Sequence, residues 1–207
     1  MAFREYLDEV LGSKASIRVL RSLVRYKGKV FTVRELARTS GLSHPEVSLV
    51  VKNLEGRGIV KLQPVGRAYQ VMLNEESYAL KSIVEPMVRA EESTLDSLVS
   101  TIRPFFEERA VTSVAIFGSV AKGLDTKASD VDLLVIADDR ASASDSSAGA
   151  NTAAHTKFGI GLSPLIITRT QFVRRQNGDF ARSVVASYRM VHGKDLQELV
   201  TNVEARQ

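Results

Sequence analysis

The sequence is most constrained by a glycine–serine pair and an acidic pair set ten residues apart. Gly118-Ser119 closes the apolar run 111–117, and Asp130-Val131-Asp132 opens the apolar run 131–137. Both runs have the length and the Val and Ile content of single strands. Side chains two apart on a strand share a face. Asp130 and Asp132 are therefore expected to project together while Val131 turns into a core. Two carboxylates a pleat apart are costly without a cation, and hard oxygen donors suit Mg²⁺. Such an ion holds a triphosphate and offsets charge in the transition state. Gly118 allows a phosphate to approach the backbone closely. Ser119 offers a hydroxyl and an N–H where a turn or helix begins. Lys122, one turn on, adds a point charge. The predicted chemistry is positioning plus electrostatic stabilisation of an in-line displacement at the α-phosphate, with pyrophosphate leaving.

The remainder of this half alternates strand and helix. Strand 162–168 is followed by helical stretches near 169–176 and 179–187, on either side of Asn177-Gly178. A short strand at 188–191 and a helix from about 194 complete the chain. Residues 138–159, ADDRASASDSSAGANTAAHTKFG, are small and polar. They read as a surface helix built on alanines or as a loop, and composition favours mobility over 140–152.

The first third reads as helices and a hairpin. Leu7, Val10 and Leu11 mark a short opening helix, and Ile17, Leu20, Leu23 and Val24 a second. Thr32 with Glu35 and Ser43 with Glu46 are two capping boxes on either side of Gly41. Pro45 is tolerated in the first turn of the second of these helices. Val47, Val50, Val51 and Leu54 form its apolar stripe, and Gly56 and Gly58 are expected to end it. Strand-like runs 59–62 and 68–73 follow, with Pro64, Val65 and Gly66 as the turn. Two helices, a tight turn and a hairpin make a winged helix-turn-helix, whose second helix enters the DNA major groove. Ser43, His44, Ser48, Lys52 and Asn53 are its expected exposed positions, and Arg67 sits at the wing tip. Lys27, Lys29, Arg34 and Arg38 are expected on phosphate. Residues 1–75 hold 13 Lys and Arg against 7 Asp and Glu, a net of +6 in a chain of net +4. The basic charge thus lies where nucleic acid is expected.

Residues 77–110 carry apolar side chains at helical spacing, from Leu80 to Phe105, with Pro86 and Pro104 as breaks. They are expected to bridge the two halves and to offer a homodimer surface. The expected fold class is α+β. A winged helix-turn-helix over 1–76 and a helical linker over 77–110 precede a domain of strands and helices over 111–207.

The stretch TVRELARTSGLSHPEVSLVVKNLEGRGIVKLQPVGRAYQV resembles the winged-helix regulators of the MarR and ArsR type. The stretch VAIFGSVAKGLDTKASDVDLLVI resembles the polymerase β nucleotidyltransferase superfamily, in its GS-x10-DxD signature. It is closest to the minimal nucleotidyltransferases, whose core is shared by antitoxins paired with HEPN-type toxins and by aminoglycoside nucleotidyltransferases. That resemblance implies Mg²⁺ and ATP or another NTP as cofactors. It also implies a small mixed β-sheet flanked by helices and nucleotide transfer to a hydroxyl, with a protein acceptor or toxin partner as the candidate. Active members carry a third carboxylate on the next strand. Here that strand is GLSPLIITRT, with Ser163 or Pro164 in the acid's place, and Asp179 comes too late to substitute. The alternative implied is a regulator whose second domain senses NTP or docks a partner.

Composition excludes several classes. With no cysteine there is no disulfide, zinc finger or thiol nucleophile. His44, His155 and His192 have no ligand-like spacing. No apolar run reaches membrane-spanning length, and the first residues contain acids rather than a signal sequence. The expected setting is cytoplasmic, with double-stranded DNA and NTP as partners.

Overall fold

The computed structural model describes residues 6–66, 68–107, 111–124, 130–174 and 179–199. They fall into two compact units that divide between Ser93 and Thr94.

In the first unit, α1 (Tyr6–Leu11), α2 (Lys14–Arg25), α3 (Val33–Ser40) and α4 (His44–Gly56) pack over a small antiparallel sheet. Its strands are β1 (Phe31–Thr32), β2 (Val60–Val65) and β3 (Ala68–Leu73), in the order β1-β3-β2. Leu20, Leu23, Phe31, Leu36, Val51, Leu54 and Ile59 form the centre of the core. Both capping boxes are formed: Thr32 and Ser43 accept the N–H of Glu35 and Glu46, and each glutamate reaches back to its cap's N–H. Gly41, at φ +65°, turns the chain between the two helices.

Pro64 and Val65 belong to β2 rather than to the turn, opposite Tyr69 and Ala68. β2 is an edge strand, where a proline without an N–H costs nothing.

The capping glutamates titrate below their usual range, chiefly because of the hydrogen bonds from the Thr32 N–H at Glu35 and from the Ser43 hydroxyl at Glu46. A lowered folded-state pKa gives stability above the unfolded value, lost as pH falls through the folded one. Thr32→Ala is expected to cost about 1 kcal/mol at neutral pH. Thermal melts at falling pH should show part of that difference lost, the part carried by the Thr32 hydroxyl's bond to the Glu35 carboxylate.

The stretch expected as a linker is instead shared by the two cores. A π-helical turn, Leu80–Val84, runs into α5 (Glu85–Glu92), and Leu80, Val84 and Val88 are buried in the first core. Pro86 lies in the first turn of α5, just after the π turn, where the carbonyls adapt to its missing N–H. The buried Glu85 carboxylate pairs with Lys27 at 2.8 Å and Arg89 at 3.2 Å. α6 (Thr94–Ile102) and α7 (Pro104–Glu107) give Leu98, Val99, Ile102 and Phe106 to the second unit's core.

That second unit is a four-stranded mixed sheet in the order β6-β5-β4-β7. β4 (Val111–Ile116) and β5 (Val131–Ala137) are antiparallel, β6 (Leu162–Ile167) is parallel to β5, and β7 (Arg189–Gly193) is antiparallel to β4. Strand β5 is buried on both faces. Val131, Leu133 and Val135 join the cluster containing Val99, Ile102 and Phe106, and Leu134 and Ile136 join Phe172, Ala181, Val184 and Leu196. The other helices are α8 (Gly118–Ala121), α9 (Arg140–Phe158), α10 (Arg169–Arg174) and α11 (Asp179–Ala186).

The stretch favoured as mobile is helix α9, which overturns that reading. Its buried face is Ala143, Ser146, Ser147, Ala150 and Ala154, three or four residues apart. Small side chains let the helix lie close to its neighbours. A Cβ on Gly149 would fall 2.8 Å from the Phe105 ring. Ser146 and Ser147 donate to carbonyls of their own helix, so the buried hydroxyls are paired. Hydropathy gives no sign of such a face.

Candidate functional site

At the end of β4 the Phe117 N–H donates to the Asp132 carbonyl at 3.0 Å, which sets this corner of the sheet. The next residue, Gly118, has φ +76° and starts α8. A Cβ there would overlap Oδ2 of Asp132. Glycine is therefore required twice, for its left-handed backbone and for the space the carboxylate fills. Asp132 is half-buried against this turn. Ser119 follows, also half-buried, and its carbonyl accepts the Leu124 N–H at 2.9 Å. Lys122 is exposed at the end of α8. The Ser187 hydroxyl donates to the Ala121 carbonyl at 3.0 Å and holds that end of the helix.

Asp130 is exposed and immediately precedes β5. It leans toward the opposite neighbour from Asp132: a Cβ on Gly161 would stand 2.7 Å from Asp130 Oδ1. The Val131 N–H donates to the Gly161 carbonyl at 2.9 Å, which starts the parallel ladder. Two glycines, one on each side of β5, thus give the acidic pair its room. Gly161 was not anticipated as a site residue. Its partner lies 31 positions away in sequence, and only the strand pairing brings them together.

The parallel register also settles which residue of β6 flanks the acids. Ser163 pairs with Asp132, and Pro164 with Leu133. Paired residues share a face, so Ser163 lies beside Asp132 and Pro164 turns away. No group of three or more His, Cys, Asp or Glu side chains that would hold a metal occurs among the described residues. The side chain of Asp179 lies outside them. The donor set is two carboxylates, Asp132 against the Gly118 turn and Asp130 against Gly161. Carboxylate oxygens of this kind suit a hard divalent cation such as Mg²⁺.

In the first unit, Ser43, His44, Lys52 and Asn53 are exposed on α4 and Ser48 is half-buried. The Ser43 hydroxyl is committed to its cap, donating to Glu46 at 2.6 Å. Arg34 and Arg38 are exposed. Lys27 is not free for phosphate. Its ammonium is engaged by Glu85, whose hydrogen bond raises its pKa. Lys29 lies 4.6 Å from the centre of the Phe31 ring. Arg67 lies outside the described residues. Two apolar side chains were missed. Leu49 is 64% exposed on α4, off the stripe that sequence periodicity picks out, and Tyr69 is 48% exposed on β3. Tyr69 lines a groove of about 440 Å³ with Arg34, His44 and Ser48.

Residues 13–68 match the family model of the MarR family. Residues 99–198 match that of the nucleotidyltransferase domain. The chain joins a MarR-family domain to a nucleotidyltransferase domain.

The uncharacterized protein MJ1254 of Methanocaldococcus jannaschii is 29% identical over 82 residues, which are 37% of this chain. The match spans 17% of that relative's length. Among solved structures, the MarR-family regulator SPO1453 from Silicibacter pomeroyi is 22% identical, covering 47% of this chain and 68% of its own, at a TM-score of 0.36. Reduced HlyU from Vibrio cholerae is 20% identical, covering 40% and 82%, at 0.34. A toxin–antitoxin complex with AMP-PNP is 13% identical, covering 52% and 85%, at 0.36. No described helix is long and apolar enough to cross a membrane.

Beyond the acidic pair, the nucleotidyltransferase domain holds a second polar pairing. The Tyr188 hydroxyl donates to Asp195 at 2.6 Å. Burial, and then this bond, push the phenol's pKa up to about 12. The unfolded phenol ionises near 10. Between those values the unfolded chain holds fewer protons, so this contribution to stability is lost as pH rises through that window. Ultraviolet titration should show one tyrosine ionising late, and Tyr188→Phe should remove that phase.

Proposed function

We propose that the nucleotidyltransferase domain binds ATP or another NTP with Mg²⁺ at Asp130 and Asp132 and transfers its nucleotidyl group to a hydroxyl acceptor. One observation carries this reading: the side chain that Gly118 lacks is replaced in space by the Asp132 carboxylate. A phosphate at the turn would therefore meet a hard-metal ligand. In the reaction the acceptor oxygen attacks the α-phosphorus, the bond to the β-phosphate breaks, pyrophosphate leaves, and the hydroxyl proton passes to solvent. The Ser119 hydroxyl and N–H hold the phosphate beside the Gly118 turn, and Lys122 adds positive charge at the rim. Asp130 and Asp132 hold the ion, which when bound neutralises charge on the phosphates. The test is an α-labelled NTP with Mg²⁺, the full chain and protein acceptors from its own cells. Label should move to an acceptor with wild type and not with Asp130→Asn or Asp132→Asn. Equal labelling by the variants would refute the reading.

A second reading is a nucleotide sensor. It is favoured by Ser163, which stands beside Asp132 where a further acid would complete the ion's ligand set. It predicts NTP binding that needs a divalent cation, with no transfer to any acceptor.

The MarR-family domain is proposed to bind double-stranded DNA as a homodimer, with α4 in the major groove and the wing on the backbone. Lys52, Asn53 and His44 are the proposed polar contacts, Arg34 and Arg67 the phosphate or minor-groove contacts, and Leu49 an apolar contact to a thymine methyl. Asn53→Ala should cost about 1–3 kcal/mol on a cognate site and little on random duplex, read by fluorescence anisotropy. Light scattering of the intact chain should give the mass of two copies.

A further inference from the structure

We infer that Asn151 is a positioning residue for Asp130, and so for the divalent ion that Asp130 holds. The inference rests on the proposed role of Asp130 and Asp132 as metal ligands.

Asn151 lies on α9, and its Oδ1 accepts the N–H of Leu162 at 2.7 Å. That N–H belongs to the peptide unit joining Gly161 to Leu162. The carbonyl of the same unit accepts from Val131 on β5. In a trans peptide the carbonyl and the N–H point in opposite directions. The Leu162 N–H therefore points away from β5, toward the outer edge of the sheet, where β6 has no strand beyond it among the described residues. Without Asn151 it would have no ladder partner. With Asn151, this one peptide unit is held at both ends, by β5 on one side and by α9 on the other.

The Gly161 Cα of that unit is the wall against which Asp130 lies. With 2.7 Å between a Cβ at Gly161 and Asp130 Oδ1, a small tilt of the peptide plane moves the wall relative to the carboxylate. Asp130 is itself exposed. Asn151 also lies on the helix whose small-residue face seats it on the sheet, so its amide is carried by a rigid element. A residue that orients a metal ligand through such a bond changes metal affinity by about 10–100-fold when removed.

The probe is Mn²⁺ binding to the full chain, with and without ATP, followed by electron paramagnetic resonance. Asn151→Leu, near in size but with no acceptor, should weaken Mn²⁺ binding about tenfold or more. Asn151→Asp keeps an acceptor and should stay within about threefold of wild type. If the leucine variant does not fold, Asn151→Ala takes its place, with folding checked by circular dichroism. Equal affinities in the variants with and without an acceptor would overturn the inference, whether both were normal or both weakened. Asp130→Asn separates this from the metal-site reading itself. If Asp130→Asn loses Mn²⁺ and Asn151→Leu does not, only the positioning role fails. If Asp130→Asn binds like wild type, the metal site is elsewhere and both fail.

Discussion

Gly118→Ala is expected to destabilise the nucleotidyltransferase domain by about 2–4 kcal/mol, the sum of two strains. One is the left-handed backbone at φ +76°, which costs an alanine about 1–2 kcal/mol. The other is the overlap of the new methyl with Oδ2 of Asp132. The two separate in a double-mutant cycle. Asp132→Ala removes the carboxylate but leaves the backbone strain. The pair Gly118→Ala and Asp132→Ala should therefore be more stable than the single effects add up to, by about 1–2 kcal/mol. Denaturant melts of the four proteins measure it. Additive effects would mean that the carboxylate does not occupy the glycine's empty side.

Asp132→Asn is expected to have the largest effect on ligand binding. An amide oxygen is nearly isosteric, so the β5 ladder and the Gly118 turn should survive. The charge is lost, and one of the two anionic donors becomes a weak neutral one. Changes one shell further out weaken metal binding by about 10–100-fold, so loss of a direct donor should cost about 100-fold or more. Asp130→Asn should follow the same course, somewhat less steeply, because that side chain is exposed and water can replace it. A full loss at one position and none at the other would point to a cation held differently.

Much of this site was legible in the sequence because its parts are local. Gly118, Ser119 and the acidic pair lie within fifteen residues, but strand alternation does not foresee that Asp130 stands just before β5 and lies against Gly161 while Asp132 lies against Gly118. The capping boxes were legible for the same reason, since each is contained in four residues. The rest depends on pairings between strands and helices that are distant in sequence. Gly161 becomes a wall for Asp130 only through the parallel register of β5 and β6. That register also decides between Ser163 and Pro164. Asn151 sits in a run of small polar residues that reads as a helix built on alanines or as a mobile loop, and its amide gains a role only once α9 packs on the sheet. In the first unit, Leu49 is apolar but off the buried stripe, a fact visible from spacing but not its meaning. The stretch 77–110 has helical periodicity throughout, but periodicity does not say which of two cores a residue enters. Leu80 and Val84 enter one, and Ile102 and Phe106 the other.

The most direct measurement is a calorimetric titration of the intact chain with ATP and the other common NTPs, run once with Mg²⁺ and once with EDTA. The account predicts binding of at least one nucleotide with Mg²⁺, no detectable binding in EDTA, and none in Asp130→Asn or Asp132→Asn folded to wild-type circular dichroism. Nucleotide binding of equal strength in EDTA, or in the folded asparagine variants, would contradict it.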